Sequence, residues 1–118
     1  MKRFSVFISL MMVGWSCGIN DVTPTQQDEA LLSHMLYVDG CDWTLTLRRD
    51  AAVSYAPNES SLSIIQSYVD QQGGFQFGVF SQNVSVSYQP TNRKTTINCG
   101  WGRKETLDEI EIKAIKKL

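Results

Sequence analysis

The stretch Asp39-Gly40-Cys41-Asp42-Trp43-Thr44-Leu45-Thr46-Leu47 constrains this chain more than any other. Cys41, Trp43, Leu45 and Leu47 share one parity, and Asp42, Thr44 and Thr46 the other, which is the pattern of a strand with one buried face. The buried parity opens on a cysteine, and Cys99 lies far downstream. Read together, Cys41 and Cys99 form a disulfide that ties the first strand of a small β-barrel to its far end. The loop it closes is about 60 residues long, worth roughly 4 kcal/mol by chain-entropy arithmetic.

A chain of 118 residues holds one domain. Residues 1–16 stand apart from it. Lys2 and Arg3 make a positive start, residues 4–13 are an almost unbroken apolar run, and Gly14 and Ser16 are small. That is the layout of an export signal. An apolar run of about ten residues is half of what a bilayer-spanning helix needs. The segment resembles a bacterial lipoprotein signal, in which the cysteine after the cut, here Cys17, takes a lipid and becomes the new N-terminus. Gly14 and Trp15 depart from that family's usual Leu and small residue, and Gly14 with Ser16 also suits ordinary secretory cleavage. Cysteine parity favours the lipoprotein: with three cysteines, lipid on Cys17 leaves Cys41 and Cys99 as a pair.

Without residues 1–16 the chain keeps nine basic against twelve acidic side chains. A mildly acidic chain is a poor binder of phosphate backbones, so no nucleic-acid partner is expected. Membrane attachment is expected through the N-terminal acyl chains and not through a basic patch. The expected address is the cell envelope, lipid-anchored on the periplasmic or outer surface of the outer membrane; the alternative is a secreted or periplasmic protein.

Three parts follow: a signal at 1–16, the lipidated Cys17 with a polar tether at 17–29, and a domain at 30–118. Residues 30–38 suit a short helix or a helical turn leading into strand, with Leu31, Leu32, Met35 and Leu36 on one face and His34 off it. His34, the only histidine, is expected to be solvated. A strand at about 41–48 and a second at Val53 and Tyr55, ended by Pro57-Asn58, suit a hairpin. Residues 60–72 suit a helix, with Leu62, Ile65, Tyr68 and Val69 on one face, a cap at Ser60 or Ser61, and an end at Gly73-Gly74. Phe75, Phe77 and Val79 alternate as a short strand; Val84, Val86 and Tyr88 alternate in another, stopped by Pro90. Residues 95–99 are β-prone, Gly100-Trp101-Gly102 is a loop, and 107–117 is read as strand over a helical alternative.

Several of these residues carry a resemblance. Gly40-Cys41-Asp42-Trp43, Tyr55-Ala56-Pro57-Asn58, Val84-Ser85-Val86-Ser87-Tyr88, Cys99 and Ile110-Glu111-Ile112 resemble a group of small uncharacterised envelope lipoproteins of the Bacteroidota. The likeness covers about residues 38–115. It implies a mainly β domain with one short helix, a small OB-like β-barrel with one disulfide, behind the signal peptide and flexible tether. Two departures stand out: Asn58 follows Pro57 directly, and residues 62–83 are longer and more aromatic than the group's connection, which implies an extra strand or an enlarged loop. The group has no activity to carry over.

Among candidate sites, enzymatic chemistry lacks its parts. The thiols are assigned to the disulfide and the one histidine lies near the domain's edge, so no catalytic residue, cofactor or metal site is expected. Asp39 and Asp42 flank Cys41 and fall short of the six or more oxygens of a calcium site. Arg48-Arg49, Arg93-Lys94 and Arg103-Lys104 sit at strand ends or turns and read as solubility and edge protection. Trp101, between two glycines and beside Cys99, with Arg103 next to it, is the candidate for partner binding. The plainer expectation has Trp101 folded back over the barrel and Phe75, Phe77 and Phe80 in the core. The reading is a non-enzymatic, lipid-anchored envelope domain that binds a protein or glycan through one end of the barrel. The alternatives are an inhibitor of an envelope-attacking hydrolase, such as a lysozyme or protease, and an accessory subunit of an envelope complex.

Overall fold

The computed structural model describes residues 24–38 and 40–118. The expected signal, Cys17, the first part of the tether and Asp39 therefore lie outside the described residues. Five strands, β1 (Gln26–His34), β2 (Thr44–Leu47), β3 (Ser54–Pro57), β4 (Phe80–Asn98) and β5 (Lys104–Lys117), close a barrel in the order β1-β2-β3-β5-β4. One helix, α1 (Leu62–Gln71), lies between β3 and β4. Neighbours are antiparallel except β3 and β5, which run parallel. This is the expected mainly β, OB-like barrel with one short helix and a Cys41–Cys99 disulfide.

The first strand is not where the sequence suggested. The strand that follows Cys41 is the second, and β1 takes up residues 26–29 of the expected tether and 30–34 of the expected helix. Ala30, Leu32 and His34 point inward at a period of two, while Leu31 and Ser33 are only half-buried. The polar start of β1 is held by pairing instead of burial: nine residues, Gln26 to His34, register with Tyr88 to Phe80 of β4. Residues 36–38 form a single 3-10 turn.

β4 runs through Pro90, which was expected to stop it. The register shifts between Pro90 and Lys94, so Thr91, Asn92 and Arg93 bulge out, with Asn92 in the left-handed region at φ 65°. A bulge has no ladder bond for proline to break. The Glu109 carboxylate clamps it, accepting from Thr91 Oγ1 (2.7 Å), Thr95 Oγ1 (2.6 Å) and Arg93 Nη2 (2.8 Å). These donors hold its pKa well below the usual glutamate range, at about 2, the Thr95 and Thr91 hydroxyls first and Arg93 after them. The final segment is strand, β5, as read.

The helix buries Ile65, Tyr68 and Val69 in the barrel core, with Leu62 left exposed. Its cap differs from the expected serine. Asn58 Oδ1 accepts from the Ser61 amide (3.1 Å) and starts a 3-10 turn, Glu59–Ser61, that leads into α1. Ser61 is instead fully buried, donating its hydroxyl to Asn58 Oδ1 (2.6 Å) and accepting the Ile112 N–H (2.7 Å). Helix start and β5 are thus pinned by one hydroxyl. Gly73 and Gly74 end the helix with positive φ, as read.

Candidate functional site

The Gly40-Cys41 dipeptide gathers one end of the barrel. Gly40 donates to the Met35 carbonyl (2.7 Å) and accepts from the Gly100 N–H (2.7 Å), and a Cβ on Gly40 would lie 2.3 Å from that of Met35. Only glycine fits there. Cys41 and Cys99 bridge antiparallel and are disulfide-bonded, and Asp42 N–H donates to the Asn98 carbonyl (2.9 Å). The 36–38 turn and the Gly100–Gly102 turn are thereby brought against each other.

Inside this end sits an aromatic cluster. Trp43 meets the rings of His34 (centroids 4.9 Å), Phe75 (5.8 Å) and Phe80 (5.8 Å), and Tyr37 meets His34 (5.5 Å) and Phe75 (6.4 Å). Such tilted and edge-on pairs add to what burial alone supplies. His34, expected to be solvated, is buried, with its Nε2 3.1 Å from Asp42 Oδ1. Asp42 also accepts from the Trp43 N–H (2.7 Å). The parity of β1 sends His34 inward, and the aspartate is its polar partner. Burial lowers the His34 pKa against the opposing pull of the Asp42 charge, so the imidazole is neutral near pH 7.

Outside the cluster, two further rings at this end are exposed. Trp101 is 91% exposed in the left-handed region (φ 62°), so it does not fold back over the barrel. Phe77 is 95% exposed, also left-handed (φ 55°), in a turn whose 76–79 ends meet in a single bridge. The expected strand through Phe75, Phe77 and Val79 is therefore a turn, and of the three phenylalanines only Phe80 is core. The turn leans on the 36–38 segment: a Cβ on Gly78 would lie 3.5 Å from that of Tyr37, which is itself 74% exposed. The enlarged 62–83 region contributes α1 and this aromatic turn, with no extra strand among the described residues. Tyr37, Phe77 and Trp101, from three separate loops, form one rim. Arg103 caps the last of these loops, with its guanidinium 3.8 Å from Glu105.

Beside the rim a groove of about 420 Å³ runs past Trp43, Glu59, Leu62, Gln66 and Asn98. The three basic pairs are each matched by neighbours. Arg48 meets Glu29 (3.2 Å), Arg49 meets Asp28 (2.8 Å), Arg93 meets Glu109 (2.8 Å), Lys94 meets Asp108 (2.6 Å), and Lys104 donates to Asn98 Oδ1 (2.8 Å). Arg48-Arg49 follows β2 and Arg103-Lys104 opens β5, whereas Arg93-Lys94 lies within β4, at its bulge and not at a strand end. No helix among the described residues is long and apolar enough to cross a membrane. No family model, curated protein or solved structure matches this chain.

Proposed function

We propose that the protein is a non-enzymatic, lipid-anchored domain of the cell envelope that binds a partner through the aromatic end of its barrel. The observation that carries this reading is the rim itself. Three loops hold Tyr37, Phe77 and Trp101 outward at one end, two of them in a backbone conformation that large side chains rarely adopt. Large exposed apolar patches on a soluble surface mark interaction sites. The commitment of His34 to Asp42 and of both described cysteines to the disulfide supports a binding role over a catalytic one. Cys17 as the acylated residue rests on the sequence. The test is capture of partners from native envelopes with the acylated chain. The wild type is expected to retain a partner that Phe77→Ser/Trp101→Ser releases, and equal recovery by both would sink the proposal.

One observation favours a hydrolase inhibitor as a second reading: Trp101 projects two residues from a disulfide-fixed cysteine, as a plug for an active-site cleft would. A panel of lysozymes and proteases separates the two, since inhibition lost in Trp101→Ala with unchanged melting supports the inhibitor, and no inhibition by the wild type removes it.

A further inference from the structure

The rim protrudes. The groove beside it is walled by Trp43, Leu62 and their neighbours, and Tyr37, Phe77 and Trp101 are not among its walls. Protein partners are usually gripped by anchors that enter pockets, surrounded by a ring that excludes water. Here the anchors are themselves the outermost groups. Their combined apolar exposure, with that of Val38 and Phe75, is about 600 Å² by the usual size of aromatic side chains. That is at the upper end for the largest patch on a monomer, about 300–600 Å². A second copy of this chain, like any folded partner, would have to supply pockets for these anchors. A deformable apolar medium is well served, because it needs no complementary shape.

Two further observations point to that medium. Arg103 and Lys104 follow Trp101 after the single residue Gly102 and are exposed, so cations stand just behind the aromatic tip. Arg103 shares Glu105 at a loose 3.8 Å, and Lys104 is held by the neutral Asn98, which leaves both with charge to offer an anionic surface. Aromatic tips backed by cations match the headgroup region of a bilayer, where Trp and Tyr concentrate.

The second observation is length. β1 carries the chain from Gln26 to His34 beside the rim, a rise of about 27 Å. Eight residues separate Cys17 from Gln26, and the nine steps between them reach at most about 30 Å when extended. The reach of this segment thus equals the length of the barrel it must pass, and a domain held by Cys17 has chain enough to lay its far end back on the same leaflet.

We infer that the rim is a lipid-surface contact, with Phe77 and Trp101 entering the boundary between headgroups and acyl chains and Arg103 and Lys104 meeting anionic headgroups. This rests on the rim being the binding end and names what it binds. The test places the acylated chain in vesicles of zwitterionic lipid with and without anionic lipid, and follows Trp101 as the only tryptophan (Trp43→Phe, Trp15 having left with the signal). Quenching by lipids brominated in the acyl chains and severalfold shielding from aqueous iodide are expected. Anionic lipid should raise the embedded fraction by about fivefold for each cation that reaches the surface. Hydrogen exchange of the unsubstituted chain gives the same answer without a variant: residues 75–78 and 100–102 should slow on vesicles.

A Trp101 equally open to iodide with and without vesicles overturns the inference. So does shielding that appears without lipid and grows with protein concentration, which would assign the rim to a second copy. If the rim stays open on vesicles yet a protein or glycan is captured through Phe77 and Trp101, the lipid contact fails and the binding end stands.

Discussion

The imidazole Nε2 of His34 lies 3.1 Å from Oδ1 of Asp42, under the rings of Tyr37, Trp43 and Phe75, while its Nδ1 is buried with no hydrogen-bond partner among the described residues. With the proton on Nε2 for Asp42, Nδ1 is a bare lone pair. Burial lowers this pKa from 6.5 against the pull of Asp42, and protonation would bury a second N–H that no described residue accepts. A lowered folded pKa means that the unfolded chain takes up protons first. Stability is then fully present above the unfolded value and declines as pH falls below 6.5 toward the folded value. Melting temperature should drop over that range in the wild type, and His34→Gln should lose most of this slope. A parallel slope in both proteins would reject the assignment.

Cys41→Ser removes the cross-link between residues 58 apart and should cost about 4 kcal/mol. Reductant on the wild type should lower the denaturation midpoint by a similar amount. Since Cys17 is a separate cysteine, membrane localisation in cells should not change.

Ser61→Ala should cost about 1–3 kcal/mol, because it strands the Ile112 N–H inside the barrel. Urea denaturation measures it, and a loss below 0.5 kcal/mol, roughly the effect of a surface substitution, would show that the bond is not made.

Glu109→Gln probes the β4 bulge. The folded carboxyl is depressed to about 2, so its stabilisation is present above the ordinary glutamate value of 4.5 and is lost as pH falls toward 2. The variant should be less stable than the wild type at neutral pH and show a shallower acid limb. Arg93→Gln should act in the same direction and more weakly, because its side chain is largely exposed and screened.

What the sequence made legible follows from where periodicity is unopposed. Trp43, Leu45 and Leu47, and Val84, Val86 and Tyr88, have polar neighbours on the other parity, so both strands could be read. The disulfide followed from the place of Cys41 on the buried parity and from the count of three cysteines, with Cys17 set aside for lipid. β1 was hidden because its outer half is Gln-Gln-Asp-Glu, and because Leu31, Leu32, Met35 and Leu36 imitate a helical face. The inward alternation Ala30, Leu32, His34 was present, with the histidine obscuring it. The rim was half legible. Trp101 stood out between glycines, but alternation at Phe75, Phe77 and Val79 looked like strand, and only the positive φ at Phe77 turns that ring outward. Asp42 as the partner of His34 could not be read, since the two meet only when β1 and β2 pair.

The Cys41–Cys99 link also fixes how the barrel bears load. A pull between the start of β1 and whatever holds Trp101 travels along β1, through the 36–38 turn to Cys41, across the disulfide to Cys99 and out to the indole. Every step of that path is covalent, and it bypasses the helix and most of β4. With the link reduced, the same tension must cross the hydrogen bonds between β1 and β4, which register residue by residue along the whole strand and would resist in shear before giving way together. Reduction would therefore change the molecule from a tie into a fuse.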